Sequence, residues 1–193
     1  MTDTPAQEFR DLGGRFGDLA AAVRPDQWDD PAPVAGWAAR DVVRHLVEWF
    51  PSFLASGADV QLPPGPSVDD DPAGAWQHLQ REVQSLLDDP ASGDRVLSNP
   101  HLGDIPLSQA VSQFFTADVF MHTWDLARAT GQDDTLDPGR CAQMLAGMEP
   151  IDELMRQSGQ YGPRVEVPED ADAQTKLLGF IGRDPLWRPP APA

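Results

Sequence analysis

The stretch LSQAVSQFFTADVFMHTWDLARATG, residues 107–131, decides the fold. It contains no proline, offers Ser108 as a cap, and ends on Gly131, the residue type that most often stops a helix. As one helix of about 24 residues it spans roughly 36 Å. At about 100° per residue from Asp118, Val111 and Ala129 fall near +20°, Phe114 near −40°, Phe115 near +60°, Met121 near −60° and Leu126 near +80°. Asp118, His122 (about +40°) and Asp125 (about −20°) stand in the middle of this apolar face, while Ser112, Gln113, Thr116 and Thr123 hold the opposite arc. Burying ionisable groups is costly unless they are paired or bound to a metal. Asp118 and His122, four apart, converge on one point. One helix can supply two metal ligands at that spacing, and a neighbouring helix must supply a third. The same spacing also suits a buried Asp–His pair without metal.

The other helices follow from the same periodicity. Phe9, Leu12, Phe16, Leu19 and Val23 form one stripe over about 4–23. Pro25, Pro31 and Pro33 then force a loop. A second helix is expected from Trp37 to Ala55, with Pro51 kinking it or ending it early. His45 borders its apolar stripe and is the candidate third ligand, at an edge that suits a site open to substrate. His78 faces a polar flank, and His101 lies in the Asn99–Gly103 turn. Residues 57–71 read as a flexible linker, rich in Pro and Gly and ending in Asp69-Asp70-Asp71. Pro72 opens a third helix bearing Trp76, Leu79, Val83, Leu86 and Leu87. Residues 88–106 read as irregular. Asp137-Pro138 starts a further helix over about 138–157. Val165–Val167 is at most a short extended piece; a short helix over about 171–182 and a Pro-rich tail, 184–193, complete the chain. No alternating segment is long enough for a strand. The expectation is an all-α, four-helix bundle with short additional helices, forming a single domain over 1–193.

The net charge of −17 disfavours nucleic acid and anionic membrane surfaces as partners. No apolar run reaches the roughly 20 residues of a membrane span. Cys141 is the single cysteine, which excludes an internal disulfide and fits a reducing compartment. The N-terminus is acidic and lacks signal-peptide regions, so a cytoplasmic location is expected. Cys141 reads as a packed core thiol rather than a nucleophile.

Two motifs carry a resemblance. Trp37-Ala38-Ala39-Arg40-Asp41-Val42-Val43-Arg44-His45-Leu46 and Asp118-x-x-x-His122-x-Trp124-Asp125-Leu126-Ala127 resemble the paired signatures of the DinB-like superfamily of metal-binding bundles. Within it they are similar to the mycothiol-dependent maleylpyruvate isomerase N-terminal-like family. Gly162-Pro163 through Gly182-Arg183-Asp184-Pro185 resembles the closing segment of a short actinobacterial subgroup. The resemblance implies a DinB-like four-helix fold and one divalent metal ion held by His45, Asp118 and His122. It further implies mycothiol as co-substrate. Asp118 departs from the family, where glutamate is usual, and its shorter reach brings the metal closer to its own helix or weakens its binding. The isomerase's second domain has no counterpart in these 193 residues, which leaves maleylpyruvate itself unassigned as substrate.

Two histidines and a carboxylate fit zinc first, and also nickel or ferrous iron. Asp125, three residues past His122, and Asp41, four before His45, are candidates for orienting the imidazoles; the alternative for each is an ordinary salt bridge to Arg40, Arg44 or Arg128. The resulting expectation is a thiol-dependent transferase or isomerase acting on a small electrophile. A non-enzymatic metal- or ligand-binding bundle is the alternative. In a third reading Trp28, Trp37, Trp49 and Trp76 serve a homodimer or partner interface.

Overall fold

The computed structural model describes residues 4–99, 103–157, 159 and 161–190. Four long helical runs form a ring: α1 (Pro5–Ala22) packs on α3 (Pro72–Asp88), α3 on α2 (Ala39–Ala58), α2 on the central run, and that run back on α1. The central run comprises α4 (Leu107–Ala110), a π-helical stretch (Val111–Thr116) and α5 (Ala117–Thr130), and closes on Gly131 in the left-handed conformation. Phe9, Phe16, Leu46, Phe50, Trp76 and Phe115 are fully buried between the helices. Phe115 stacks face to face on Phe50 at 3.9 Å. The all-α, DinB-like expectation holds: helices dominate, and the one sheet among the described residues has two strands.

Several local expectations are corrected. Helix α2 runs through Pro51 to Ala58. An interior proline costs a helix about 3 kcal/mol, but fully burying Phe50 and Leu54 contributes roughly 1.5–3 kcal/mol each, so packing wins. Val96–Asn99 (β1) pairs antiparallel with Gly103–Pro106 (β2), anchored by the buried Leu97. These strands are too short to show a period. Thr116 and Thr123, read on the polar arc, are buried, because the central helix has a second layer behind it. That layer is α6 (Pro138–Met148), α7 (Asp152–Gln157) and α8 (Ala173–Phe180); Leu177, Leu178 and Phe180 of α8 join Phe120, Met121 and Trp124 of α5 in a separate core cluster. Pro150 lies in the short turn that divides the expected fifth helix into α6 and α7. Trp28 and Trp76 are interior side chains, which removes them from any interface role.

The stretch before α3 is held at several points: Val60 and Val68 are buried, Arg44 pairs with Asp69 at 2.7 Å, and His78 donates to the Pro63 carbonyl at 2.8 Å. His78, expected on a polar flank, is thereby a clamp on this segment. Among the described residues, no helix is long and apolar enough to cross a membrane.

Candidate metal centre

The α2–α5 contact brings His45 against the first turns of α5. His45 Nε2 lies 3.0 Å from Asp118 Oδ2, and His122 Nε2 lies 3.5 Å from Asp118 Oδ1. One donor atom from each of the three residues lies within 4.8 Å of the other two. Ligands at about 2.0–2.1 Å around a tetrahedral ion stand roughly 3.3 Å apart, so two imidazoles and a carboxylate at these spacings fit one ion. Side-chain exposure rises from 7% at His122 through 18% at Asp118 to 33% at His45, which makes the α2 side the open side.

Each α5 donor has a partner that aims it. Trp49, one turn beyond His45, donates its indole N–H to Asp118 Oδ2 at 2.9 Å. His122 Nδ1 is 2.8 Å from Asp125 Oδ2. A carboxylate only accepts, so Nδ1 carries the proton and the Nε2 lone pair is turned toward the cluster. Asp125 is fully buried and also accepts from Arg183 Nε at 2.9 Å and Nη2 at 3.0 Å. Trp37 covers both imidazoles, stacked 5.7 Å from His122 and tilted 5.3 Å from His45.

Asp41 takes a different place: it accepts the Ala38 N–H at 2.9 Å and pairs with Arg44 at 3.3 Å, closing the first turn of α2. The salt-bridge alternative describes it. Asp125, by contrast, combines the imidazole contact with an ion pair to Arg183 rather than to Arg40, Arg44 or Arg128. His101 lies outside the described residues.

The electrostatics follow from burial and neighbours. Burial would raise the Asp118 carboxyl, but His122, His45 and Trp49 outweigh it and hold it below the usual carboxylate range. Burial would lower His122, yet Asp118 and Asp125 raise it above an ordinary histidine. Asp125 is pushed up by burial and brought below its usual value by His122 and Arg183. Burial, with Asp118 adding to it, pushes the Tyr161 phenol up to about 12. Cys141 is wholly buried, and burial pushes its thiol up to about 11, which keeps it protonated and unreactive.

Sequence reasoning missed three contributors. Trp37 opens the first motif and Trp49 lies four residues past His45, on the same helix face, so both had a positional signal. Arg183 had none beyond its place in the Gly182-Arg183-Asp184-Pro185 segment, because only the folded chain brings it 58 residues back to Asp125.

Fold and cluster together define an all-α bundle of the DinB-like class, with its polar cluster between the second and the central helix. The chain belongs to the mycothiol maleylpyruvate isomerase N-terminal domain family, whose sequence model matches residues 9–127. Two uncharacterized proteins of Mycobacterium tuberculosis, from strains CDC 1551 / Oshkosh and ATCC 25618 / H37Rv, are each 30% identical over 173 residues, spanning 87% of this chain and 91% of theirs. No solved structure matches the chain.

Proposed function

We propose that His45, Asp118 and His122 bind one divalent metal ion, zinc before nickel or ferrous iron. The protein then activates a low-molecular-weight thiol, mycothiol by family, for attack on a small electrophile. The observation that carries this reading is the convergence of the three donor atoms within 4.8 Å, with His45 the most exposed of the three. An ion there would keep one positive charge against a single carboxylate, lowering the pKa of a bound thiol and polarising a carbonyl. The chain's own residues supply the rest. Asp125 keeps His122 in the tautomer that offers Nε2. Trp49 holds the Asp118 carboxylate in orientation, and Trp37 covers both imidazoles. Transfer and isomerisation both begin with the thiolate adding to the electrophile, and the substrate enters past His45. A cytoplasmic setting, where thiols stay reduced, suits this chemistry and the single buried cysteine.

The first test is elemental analysis of untagged protein beside the His122→Ala variant. About one ion per chain, lost in the variant, supports the centre. No ion in the wild type, with none taken up from added zinc or nickel, overturns it. Turnover of a panel of electrophiles with mycothiol then separates an enzyme from a non-enzymatic metal-binding bundle.

A further inference from the structure

Arg183 lies outside the region matched to the family, yet it reaches the candidate centre. It arrives there through a close crossing of the chain over itself. Gly162 passes against Gly182, where a Cβ would lie 2.9 Å from the Pro163 carbonyl oxygen and 3.0–3.1 Å from two carbon atoms of Gly162. Gly182 also has φ +83°, a conformation unfavourable for residues with a side chain. Arg156 donates to the Gly162 and Phe180 carbonyls, and Val165 N–H donates to Gly179 O at 2.9 Å, so the crossing is fastened independently of Arg183. Directly after it, Arg183 turns inward, with its side chain only 15% exposed, onto a carboxylate that is 1% exposed. Anchoring the segment did not require this, since the contacts of Arg156 and Val165 already hold it. Burying a guanidinium is costly unless it is well paired, and here the pairing is two-pronged. The carboxylate so engaged is the one that touches His122.

We propose that Arg183 is a positioning residue of the centre. It fixes the Asp125 carboxylate, and through it the Nδ1–H tautomer and ring orientation of His122, so that Nε2 is offered to the ion. This rests on the metal-binding reading above. Without Arg183, Asp125 keeps a single partner and is free to rotate, and His122 loses its fixed aim. Lysine would restore the charge but only one of the two contacts.

The test uses the full chain with Arg183→Gln, Arg183→Lys and Arg156→Gln, each first checked for wild-type helicity. Zinc affinity is measured by competition with a chromophoric chelator. The His122 tautomer is read by nitrogen-15 NMR of metal-free protein at a pH where the ring is neutral. Zinc binding is expected to weaken about 10- to 100-fold in Arg183→Gln, the usual effect of removing a partner that orients a ligand. Arg183→Lys should fall between, and Arg156→Gln should stay near wild type. The NMR should show His122 leaving its single Nδ1–H form in Arg183→Gln. Affinity within twofold of wild type in Arg183→Gln overturns the proposal. So does an equal loss in Arg156→Gln with the His122 tautomer unchanged in both variants, which would make Arg183 a tether of the segment and nothing more. If Arg183→Gln does not fold, Arg183→Lys carries the comparison. If wild-type protein binds no zinc, the metal reading fails, and the tautomer alone decides: unchanged in the variant, it sinks the role of Arg183; changed, it upholds it.

Discussion

Replacing Asp125 by alanine in metal-free protein isolates what the buried ion pair contributes to stability. The carboxylate accepts from His122 Nδ1 at 2.8 Å and from Arg183 at 2.9 and 3.0 Å, with no exposure to water. Alanine strands the Arg183 guanidinium, whose side chain is only 15% exposed, together with the His122 N–H. Removing one partner of a buried pair costs about 3–5 kcal/mol. At roughly 2–4 °C per kcal/mol for a chain of this size, Tm should fall by about 6–20 °C. The pH dependence has a definite sign. Burial raises the Asp125 carboxyl, but His122 and Arg183 bring it below its usual value. Its contribution is therefore complete above the unfolded value of about 3.9 and is lost as pH falls through the lower folded value. The gap between wild type and Asp125→Ala should hold at about pH 5–6, below the His122 titration, and close in stronger acid. Urea unfolding with a chelator present, followed by circular dichroism, measures it. Asp125→Asn keeps the volume and one acceptor and should lose about 1–3 kcal/mol. Adding Arg183→Met to Asp125→Ala removes the stranded charge and should recover much of the loss. A loss below about 1 kcal/mol in Asp125→Ala, less than an ordinary buried pair is worth, would refute the reasoning; so would a double variant no more stable than the single.

Four further outcomes are expected. His122 is raised in the metal-free protein, so its protonation stabilises that form below about pH 6.5 and the benefit is lost as pH rises; metal needs the neutral ring, so the zinc-induced rise in Tm should grow between pH 6 and 8, as differential scanning calorimetry can check. Trp49→Phe removes the N–H donor to Asp118 while keeping an aromatic ring, and should weaken zinc binding about tenfold with little change in Tm. Gly182→Ala forces a side chain into a left-handed position against the Pro163 carbonyl, and should cost at least about 1–2 kcal/mol in thermal unfolding. Cys141, buried with its thiol raised to about 11, should resist an aromatic disulfide reagent in native protein and react only as the chain unfolds.

The central helix was legible because the physics that places it is local. Asp118, His122 and Asp125 interrupt an apolar stripe, and a stripe is visible at 3.6 residues per turn. The partnership of α2 and α5 was legible through His45, whose edge position matches its one-third exposure. Interactions that oppose local preference were not legible. Pro51 argues against a helix that Phe50 and Leu54 nonetheless stabilise by burial. Thr116 and Thr123 have no apolar signal, yet they are buried because α6–α8 cover the second side of α5. The π-helical stretch before Asp118 carries an extra residue, so projecting Val111–Phe115 at 100° per residue misplaces their phase. Arg183 and Asp125 meet only once the Gly162–Gly182 crossing has formed.

The three candidate ligands are unevenly spaced along the chain. Asp118 and His122 are one helical turn apart and nearly adjacent even in an unfolded chain, whereas His45 is 73 residues from Asp118. Closing a loop of that length costs about 4.4 kcal/mol at 25 °C in the chain-entropy treatment. Folding meets this cost before any ion arrives, which amounts to an advantage of about 10³ in affinity for the folded chain over the unfolded one. An ion bound by all three side chains would therefore act as a reversible crosslink between the two halves of the bundle, in a protein whose lone cysteine leaves it no covalent one.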